Sequence, residues 1–324
     1  MTTVKVSRLD RLEVLAKAKG LDGFLFTSPS SIKCFSGYYY NFETGPSPFH
    51  VLPAALIVFP FELKSLLVAD NEQDKLAGLL PDVQVSYYSS YVYENALRFT
   101  EDFSSQLLKI IDANGFENAR IGIEQNTMPY GLYKTLREHS IGIKLIDITN
   151  ELNFLKAVKD EDEINNIRKA SHLADMGQAA VLKYAKEGIT ELELFSKLRL
   201  DMETVAGARV PMMTDLVSGQ STASGGGNPT NKIIKKNELI LCDLTPCLNG
   251  YWGDSCNTMA LGKPSTEQKR IFNLVKEALE IGVNSIRPGV QAKEVDLAMR
   301  KHLEAEGDFA HHGGHGVGTV YHEE

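Results

Sequence analysis

Cysteine is scarce in this chain, and the few cysteines that occur lack the spacing of a structural zinc site. They form no C-x-x-C pair. Cys34 stands apart, and the other three fall within one short stretch: Cys242, Cys247 and Cys256. Reduced thiols of a cytoplasmic protein are therefore expected. Zinc held by Cys247 and Cys256 is a minor alternative, because no second cysteine pair lies nearby.

Several other signals are also missing. No stretch approaches the roughly 18 apolar residues of a membrane span, and the N-terminus has no apolar signal core. Acidic residues outnumber basic ones by 42 to 34, for a net charge of −8, which argues against nucleic acid or an anionic membrane as a partner. No Gly-rich phosphate loop and no GxGxxG motif occurs, so a nucleotide site is not expected.

The content that is present is typical of a soluble globular protein. Apolar residues make up 43% and charged residues 23% of the 324 residues, which leaves room for two domains and a large core. The first 150 or so residues alternate between strand and helix patterns, which predicts an α/β domain. Predicted strands cover residues 23–27, 54–59, 65–69, 83–88, 121–124 and 145–148, and predicted helices cover 6–19, 96–113 and 129–139.

An aromatic, proline-rich segment interrupts that alternation at residues 38–53. A packed surface loop is the favoured interpretation. The alternative, which only a family resemblance implies, is a loop that reaches into a partner subunit's active site. The second half of the chain opens near residues 151–160, where Asp160 is a natural helix N-cap. Capping boxes begin at Thr190 and Ser265. These signals predict helices at 161–185, 191–204, 266–286 and, last, 293–306.

Residues 238–258 predict two strands that fold back on each other around a turn. Asp243 lies on the outgoing arm and Asp254 on the returning arm. If Leu248 and Asn249 form the loop, the two aspartates are directly opposite. If Asn249 and Gly250 form it, they are diagonal neighbours.

In both registers the two carboxylates share one face of the ladder, because strand side chains alternate with period two. Facing like charges destabilise a ladder, so we expect a cation between Asp243 and Asp254. Two solvated aspartates on an exposed hairpin are the alternative.

Histidines cluster near the C-terminus, where four of the chain's eight fall within twelve residues: His311, His312, His315 and His322. Glycines interleave with them and allow close backbone approach to a metal or substrate. Imidazole is a common metal ligand and an acid or base near neutral pH. A purification tag is excluded because the histidines do not run together.

Together the two stretches resemble the proline-specific metallopeptidases. The resemblance rests on Asp243 and Asp254, eleven residues apart, followed by His-x-x-Gly-His-Gly-x-Gly from His311. That group includes Xaa-Pro dipeptidase (prolidase) and aminopeptidase P, on the pita-bread fold shared with methionine aminopeptidase and creatinase. Residues 8–37 resemble the start of the creatinase/prolidase N-terminal domain.

The resemblance implies an α/β N-terminal domain at residues 1–153 and an α+β pita-bread catalytic domain at 154–324. It also implies a homodimer with two divalent metal ions per subunit, Mn, Co or Zn. A metal-bridged hydroxide would hydrolyse an Xaa-Pro dipeptide, an N-terminal Xaa-Pro peptide or a proline-like small molecule. Asp243, Asp254 and His315 would be metal ligands. His322 would stabilise the oxyanion or carry a proton, and His311 would line the substrate pocket.

Three departures from the family pattern accompany these matches. The family has two further glutamate ligands downstream, and Glu323 and Glu324 do not align with them, so the catalytic domain is incomplete at its C-terminus relative to the family. Gly226, within a triple glycine, stands where the family has a loop histidine, and we expect a wider pocket wall there. The family's Thr-Arg-Thr is Cys256-Asn257-Thr258 in this chain.

Two other functions stay open at this point. One is a creatinase-like, metal-independent C–N hydrolase with His322 or His311 as the acid or base, although the retained Asp243 and Asp254 speak against it. The other is an inactive relative that binds a ligand or a partner, which the missing glutamates favour. Fold does not determine function, so the site must decide.

Overall fold

The computed structural model describes residues 7–39, 54–59, 63–90, 98–140, 142–307, 309 and 311–323. Most of the aromatic segment at 38–53, as well as Glu324, lies outside this set. The chain divides into two compact units, residues 1–165 with 318–320, and residues 166–317 with 321–324. No helix in the described part of the chain is long and apolar enough to cross a membrane.

The first unit alternates strands and helices as predicted. Its elements are α1 (Arg8–Lys19), β1 (Gly23–Phe26), α2 (Pro29–Ser36), β2 (Ala54–Val58), β3 (Lys64–Ala69), α3 (Gln73–Leu76), β4 (Gln84–Tyr88), α4 (Phe99–Ala113), β5 (Arg120–Ile123), α5 (Tyr130–His139), β6 (Lys144–Asp147) and α6 (Thr149–Ala157). Each predicted strand is present within one residue of its predicted bounds.

These strands form a mixed sheet in the order β4-β3-β2-β1-β5-β6. β2 runs antiparallel to both β1 and β3, and the other neighbours are parallel. Alternation along β1 places Phe24 and Phe26 in one apolar cluster, and Leu25 in the cluster on the opposite face. Helices α1, α2 and α6 contribute to the first cluster, and α4 and α5 to the second.

Helix α2 was not predicted. The sequence interpretation took Ser28-Pro29-Ser30 only as the end of the predicted strand at residues 23–27. In the structure Ser28 is instead the N-cap of α2, because its hydroxyl accepts from Ser31 N and Pro29 occupies the first turn. The same residues that end a strand therefore begin a helix.

The second unit contains helices around a small antiparallel sheet. Its elements are α7 (Glu161–Tyr184, which begins in the first unit), α8 (Glu191–Ala206), β7 (Met212–Ser218), β8 (Leu239–Leu248), β9 (Tyr251–Trp252), β10 (Ser255–Ala260), α9 (Thr266–Ser285) and α10 (Ala292–Leu303). The capping boxes predicted at Thr190 and Ser265 are present. The returning arm of the hairpin, predicted as one strand, is divided into β9 and β10.

Helix α7 packs closely against the hairpin. Gln178 donates to the carbonyl oxygens of Cys242 and Ser255, on the two facing strands, at 3.1 and 2.7 Å. A Cβ at Gly253 would lie 2.4 Å from the backbone carbonyl carbon of Ala170. The chain can pass the helix at this point only because residue 253 is glycine, and Gly253 is the residue before Asp254.

Candidate metal centre

The hairpin has the register with Asn249 and Gly250 as its two-residue loop. Leu248 pairs with Tyr251, and Asp243 pairs with Cys256. Both loop residues have positive φ, 54° for Asn249 and 81° for Gly250, as a tight Asn-Gly hairpin turn requires. Of the two registers that the sequence left open, the structure therefore has the one that makes Asp254 a diagonal neighbour of Asp243.

A third aspartate, which the sequence interpretation missed, joins this pair. Asp215 lies on β7 directly opposite Asp243. A Cβ at Gly226 would lie 2.1 Å from Asp215 Oδ2. The space that the triple glycine leaves is thus filled by a carboxylate, so the widened pocket wall expected at Gly226 is not found at that point. A predicted strand at residues 212–218, paired with the outgoing arm of the hairpin, would have identified Asp215 as a candidate site residue.

The carboxylates on the hairpin are in an unfavourable environment. Burial, together with the charges of Asp254 and Asp215, raises the pKa of Asp243. Burial also raises the pKa of Asp254, against the opposing effect of His315. Asp243 Oδ1 is buried and has no hydrogen-bond partner among the described residues. A buried carboxylate oxygen without a donor is costly, and a cation would remove that cost.

The histidine segment folds so that its rings come together. Gly316 and Glu323 form a β-bridge, with Glu323 N donating to Gly316 O at 2.9 Å. This bridge sets His315 beside His322, with ring centroids 3.9 Å apart. The ring of His312 is 5.4 Å from that of His315 and 5.7 Å from that of His322.

Helix α10 holds the start of this segment through two residues that the sequence interpretation did not identify. Asp296 accepts from Gly313 N at 2.8 Å, and Arg300 donates to the carbonyl oxygen of His311 at 2.7 Å. Arg300 and Asp296 also pair with each other at 2.5 Å. They position the histidines without offering a ligand atom to the cluster.

His315 presents a ring nitrogen to the hairpin. Its Nδ1 lies 3.0 Å from the carbonyl oxygen of Gly316, which can only accept, so Nδ1 carries the hydrogen. In the neutral ring Nε2 then has its lone pair free, and it lies 3.3 Å from Asp254 Oδ2. A lone pair facing a carboxylate oxygen requires a proton or a metal cation between them. Metal-bound histidines commonly donate their other N–H to a backbone carbonyl in this way.

Three of the five predicted site residues meet at one point. Ligand atoms of Asp254, His315 and His322 all lie within 4.8 Å of one another. Asp243 is outside that group but interacts with Asp254. His311 packs on His312, with centroids 4.1 Å apart. Burial and the neighbouring histidines lower the pKa of His322, so its ring is neutral and able to act as a ligand near neutral pH.

These donors fit a divalent cation. Carboxylate oxygens with imidazole nitrogens suit Mn²⁺, Co²⁺ or Zn²⁺. A cation would satisfy Asp243 Oδ1, which has no hydrogen-bond partner among the described residues.

Comparison with known proteins gave matches over both halves of the chain. Residues 165–324 match the model of metallopeptidase family M24, and residues 8–158 match that of the creatinase/prolidase N-terminal domain. An uncharacterized peptidase of Staphylococcus aureus (strain USA300) is 33% identical over 78% of this chain and 82% of its own length. An uncharacterized peptidase of Bacillus subtilis (strain 168) is 27% identical over 98% of this chain and 83% of its own.

Solved structures agree in fold. An Xaa-Pro dipeptidase from Bacillus anthracis superimposes with a TM-score of 0.80 at 22% identity, covering 98% of this chain and 83% of that one. A prolidase from Pyrococcus furiosus has a TM-score of 0.76 at 25% identity, covering 96% and 84%. The predicted fold class, a creatinase-type α/β domain followed by a pita-bread domain, is confirmed.

Proposed function

Because this chain belongs to metallopeptidase family M24 and carries a creatinase/prolidase N-terminal domain, we propose that it hydrolyses Xaa-Pro peptides with a divalent metal. Family membership supports metal-dependent peptide hydrolysis in general, and proline specificity is the finer part of the proposal. The observation that carries it is the approach of His315 Nε2 to within 3.3 Å of a carboxylate oxygen of Asp254.

Asp243, Asp254 and His315 would hold the metal. A divalent cation at this place would polarise the scissile carbonyl and supply a nucleophilic water at neutral pH. Mn²⁺, Co²⁺ and Zn²⁺ all suit the donor set, and two ions per subunit are part of the proposal. His311 would face the substrate. His322 would stabilise the oxyanion or carry a proton.

Proline specificity is proposed from the resemblance and from the names of the structural neighbours. A prolyl bond is a tertiary amide without N–H, so a site that accepts it must recognise the peptide through other groups. The substrate class is a short peptide, and a homodimer is part of the same proposal.

The test is hydrolysis of Ala-Pro and Gly-Pro by purified protein loaded with Mn²⁺ or Co²⁺, with Ala-Ala as the matched secondary amide. We expect turnover of the prolyl peptides, loss of turnover with a chelator and recovery when metal is restored. Faster cleavage of Ala-Ala than of Ala-Pro would contradict proline specificity but not the peptidase.

Metal analysis in the same experiment separates the other two functions. Turnover in protein without bound metal would indicate the creatinase-like hydrolase. Metal-loaded protein that binds Ala-Pro or Gly-Pro but cleaves neither of them would indicate an inactive relative that only binds a ligand or a partner. The closeness of Asp254 to His315 favours the metallopeptidase over both.

A further inference from the structure

We infer that Ser30, on helix α2 of the first unit, is a positioning residue for the histidine segment. The hydroxyl of Ser30 lies 2.7 Å from that of Thr319, and residues 318–320 belong to the same unit as Ser30. His315 and His322 flank Thr319 along the chain, four residues before it and three after. The inference rests on the proposed function, because it assigns Ser30 a part in a reaction whose groups it does not touch.

Thr319 lies at the tip of a loop that is closed at its base. Gly316 and Glu323 form a β-bridge there, with Glu323 N donating to Gly316 O at 2.9 Å. At the tip, the side chain of Thr319 is buried, and a buried hydroxyl is costly without a partner. The tip and the base are thus both fixed, and any shift of Thr319 would be passed on to the residues beside the bridge, His315 and His322.

Lys156 sets the direction of the hydrogen bond between the two hydroxyls. Its Nζ lies 3.4 Å from Ser30 Oγ and 3.4 Å from Glu124 Oε1, and an ammonium group can only donate. Ser30 Oγ therefore accepts from Lys156, and its own hydrogen is available for Thr319. Because the Lys156 side chain is mostly buried, these polar groups form a connected network with little competition from water.

A small displacement of the loop would be enough to affect the site. His315 Nε2 lies 3.3 Å from Asp254 Oδ2, and the ring centroids of His315 and His322 are 3.9 Å apart. Misplacing a reacting group by about 1 Å can lower a rate about 100-fold. Loss of the bond between Ser30 and Thr319 should therefore act on kcat more than on KM, since it moves the histidines without removing a group that binds the peptide.

The single tryptophan of the chain reports on the same loop without any need for turnover. The ring of Trp252 is buried and packs edge-on against that of Tyr321, with centroids 5.5 Å apart. Tyr321 follows Thr319 by two residues. If the tip of the loop is released, Trp252 loses this neighbour and gains water, so its emission should move to longer wavelength and its quenching by acrylamide should increase.

The test measures kcat and KM for Ala-Pro and the emission of Trp252 in variants of the full chain loaded with Mn²⁺. Thr319→Val keeps the shape of the side chain and removes the hydroxyl, whereas Thr319→Ser keeps the hydroxyl. We expect Ser30→Ala and Thr319→Val each to lower kcat about tenfold, as the loss of one buried hydrogen bond would, and to shift the emission. Thr319→Ser should retain both properties. Unchanged kcat and emission in Ser30→Ala and Thr319→Val would overturn the inference.

A double variant tests whether the two hydroxyls act through one bond. Ser30→Ala combined with Thr319→Val should lower kcat no further than either single change, because each single change already removes the interaction. Losses of kcat that multiply in the double variant would mean that the two residues act independently, and the inference would fail.

Ser36→Ala is the matched control for a purely structural effect. Ser36 lies on the same helix as Ser30, both residues are 8% exposed, and its hydroxyl donates within the helix to Ile32 O at 2.6 Å. Its replacement should lower the free energy of unfolding, as Ser30→Ala does, but leave kcat and the Trp252 emission unchanged. An equal loss of kcat in both serine variants would reduce the role of Ser30 to general stability and overturn the inference.

The outcome is separable from that of the proposed function. If the chain cleaves no peptide but the Trp252 emission shifts in Ser30→Ala and Thr319→Val alone, the peptidase proposal fails and the placement of the loop by Ser30 stands. If every variant cleaves Ala-Pro as the unmodified chain does, with the same emission, the peptidase stands and the role of Ser30 fails.

Discussion

Glu124 in the first unit is a buried carboxylate and Asp243 in the second is a half-buried one with a buried oxygen, and their surroundings differ in opposite ways. In the first unit Glu124 is 6% exposed and accepts from the hydroxyls of Ser28 and Ser31 at 2.6 and 2.7 Å. Lys156, with a side chain 12% exposed, lies 3.4 Å from it. The charge and the hydrogen-bonding capacity of Glu124 are thus both satisfied by groups of the first unit.

In the second unit Asp243 faces other carboxylates. Asp215 pairs with it directly, Asp254 lies diagonally across the hairpin, and its Oδ1 has no donor among the described residues. Not every carboxylate of the second unit lacks donors. Glu191 accepts hydrogen bonds from the backbone N–H and hydroxyl groups of Ser218 and Thr230. The difference teaches that a satisfied buried carboxylate supports the fold, whereas a group of unsatisfied carboxylates is a place where a cation would bind.

The largest expected effect is the loss of stability when Glu124, the satisfied carboxylate, is replaced. Glu124→Ala leaves the charge of Lys156 buried without a counter-ion, with only the hydroxyls of Ser30 and Ser31 as acceptors among the described residues. We expect a loss of about 3–5 kcal/mol in the free energy of unfolding. The loss should be the same with and without added Co²⁺, as measured by denaturant unfolding. Glu124→Gln, which keeps the shape, should cost less, about 1–3 kcal/mol. A loss of stability in Glu124→Ala that disappears when metal is added would contradict the contrast between Glu124 and Asp243.

Asp254→Asn should show the opposite dependence on metal: its effect on the free energy of unfolding should appear only when Co²⁺ is present. Without metal it removes a repulsive charge and should leave the unfolding free energy unchanged or higher. With Co²⁺ at 100 times its Kd, the unmodified chain should gain about 2.7 kcal/mol, and the variant should gain none. Turnover of Ala-Pro should disappear with it. Metal-induced stabilisation that persists in Asp254→Asn would remove this residue from the site.

Gly253→Ala tests whether close packing beside Asp254 matters to the site. The new Cβ would lie within 2.5 Å of backbone atoms of Ala170, so we expect a loss of about 1–3 kcal/mol and weaker Co²⁺ binding. Gly131→Ala is the matched control, because nothing lies within 4 Å of a Cβ on that helical glycine. Thermal unfolding and Co²⁺ titration of both variants give the measurement.

The smallest expected effect is the pH dependence of the metal-free protein. Burial raises the pKa of Asp243 and of Asp254 in the folded state, so the folded state binds more protons than the unfolded one above the ordinary aspartate pKa. This contribution to stability is present at low pH and is lost as pH rises through the raised values. The double variant Asp243→Asn with Asp254→Asn should lack that slope in thermal unfolding with a chelator.

Local patterns predicted most of the first unit. Its strands are short apolar runs bounded by turn residues, and such runs specify a strand wherever the sheet places it. Helix α2 was missed because Ser28 and Pro29 end one element and begin another, and a sequence pattern shows only the interruption. The helix caps at Thr190 and Ser265 were predicted because a capping box is complete within four residues.

The sequence predicted candidate site residues but not how they are grouped. Asp243, Asp254 and His315 could be identified from spacing and resemblance. The hairpin register depended on which pair formed the turn. The position of Asp215 opposite Asp243 and the approach of His322 to Asp254 depend on contacts between distant parts of the chain, which no local pattern encodes.

The length of the Asn249-Gly250 turn determines the pairing register of the hairpin. One residue more or fewer between Asp243 and Asp254 would shift the returning strand by one position and turn the second carboxylate to the opposite face. Exchange of turn residues of the same conformational type, such as Asp-Gly for Asn-Gly, should be tolerated in a library of variants. Any change of length should be removed by selection for function, although neither turn residue is a candidate ligand.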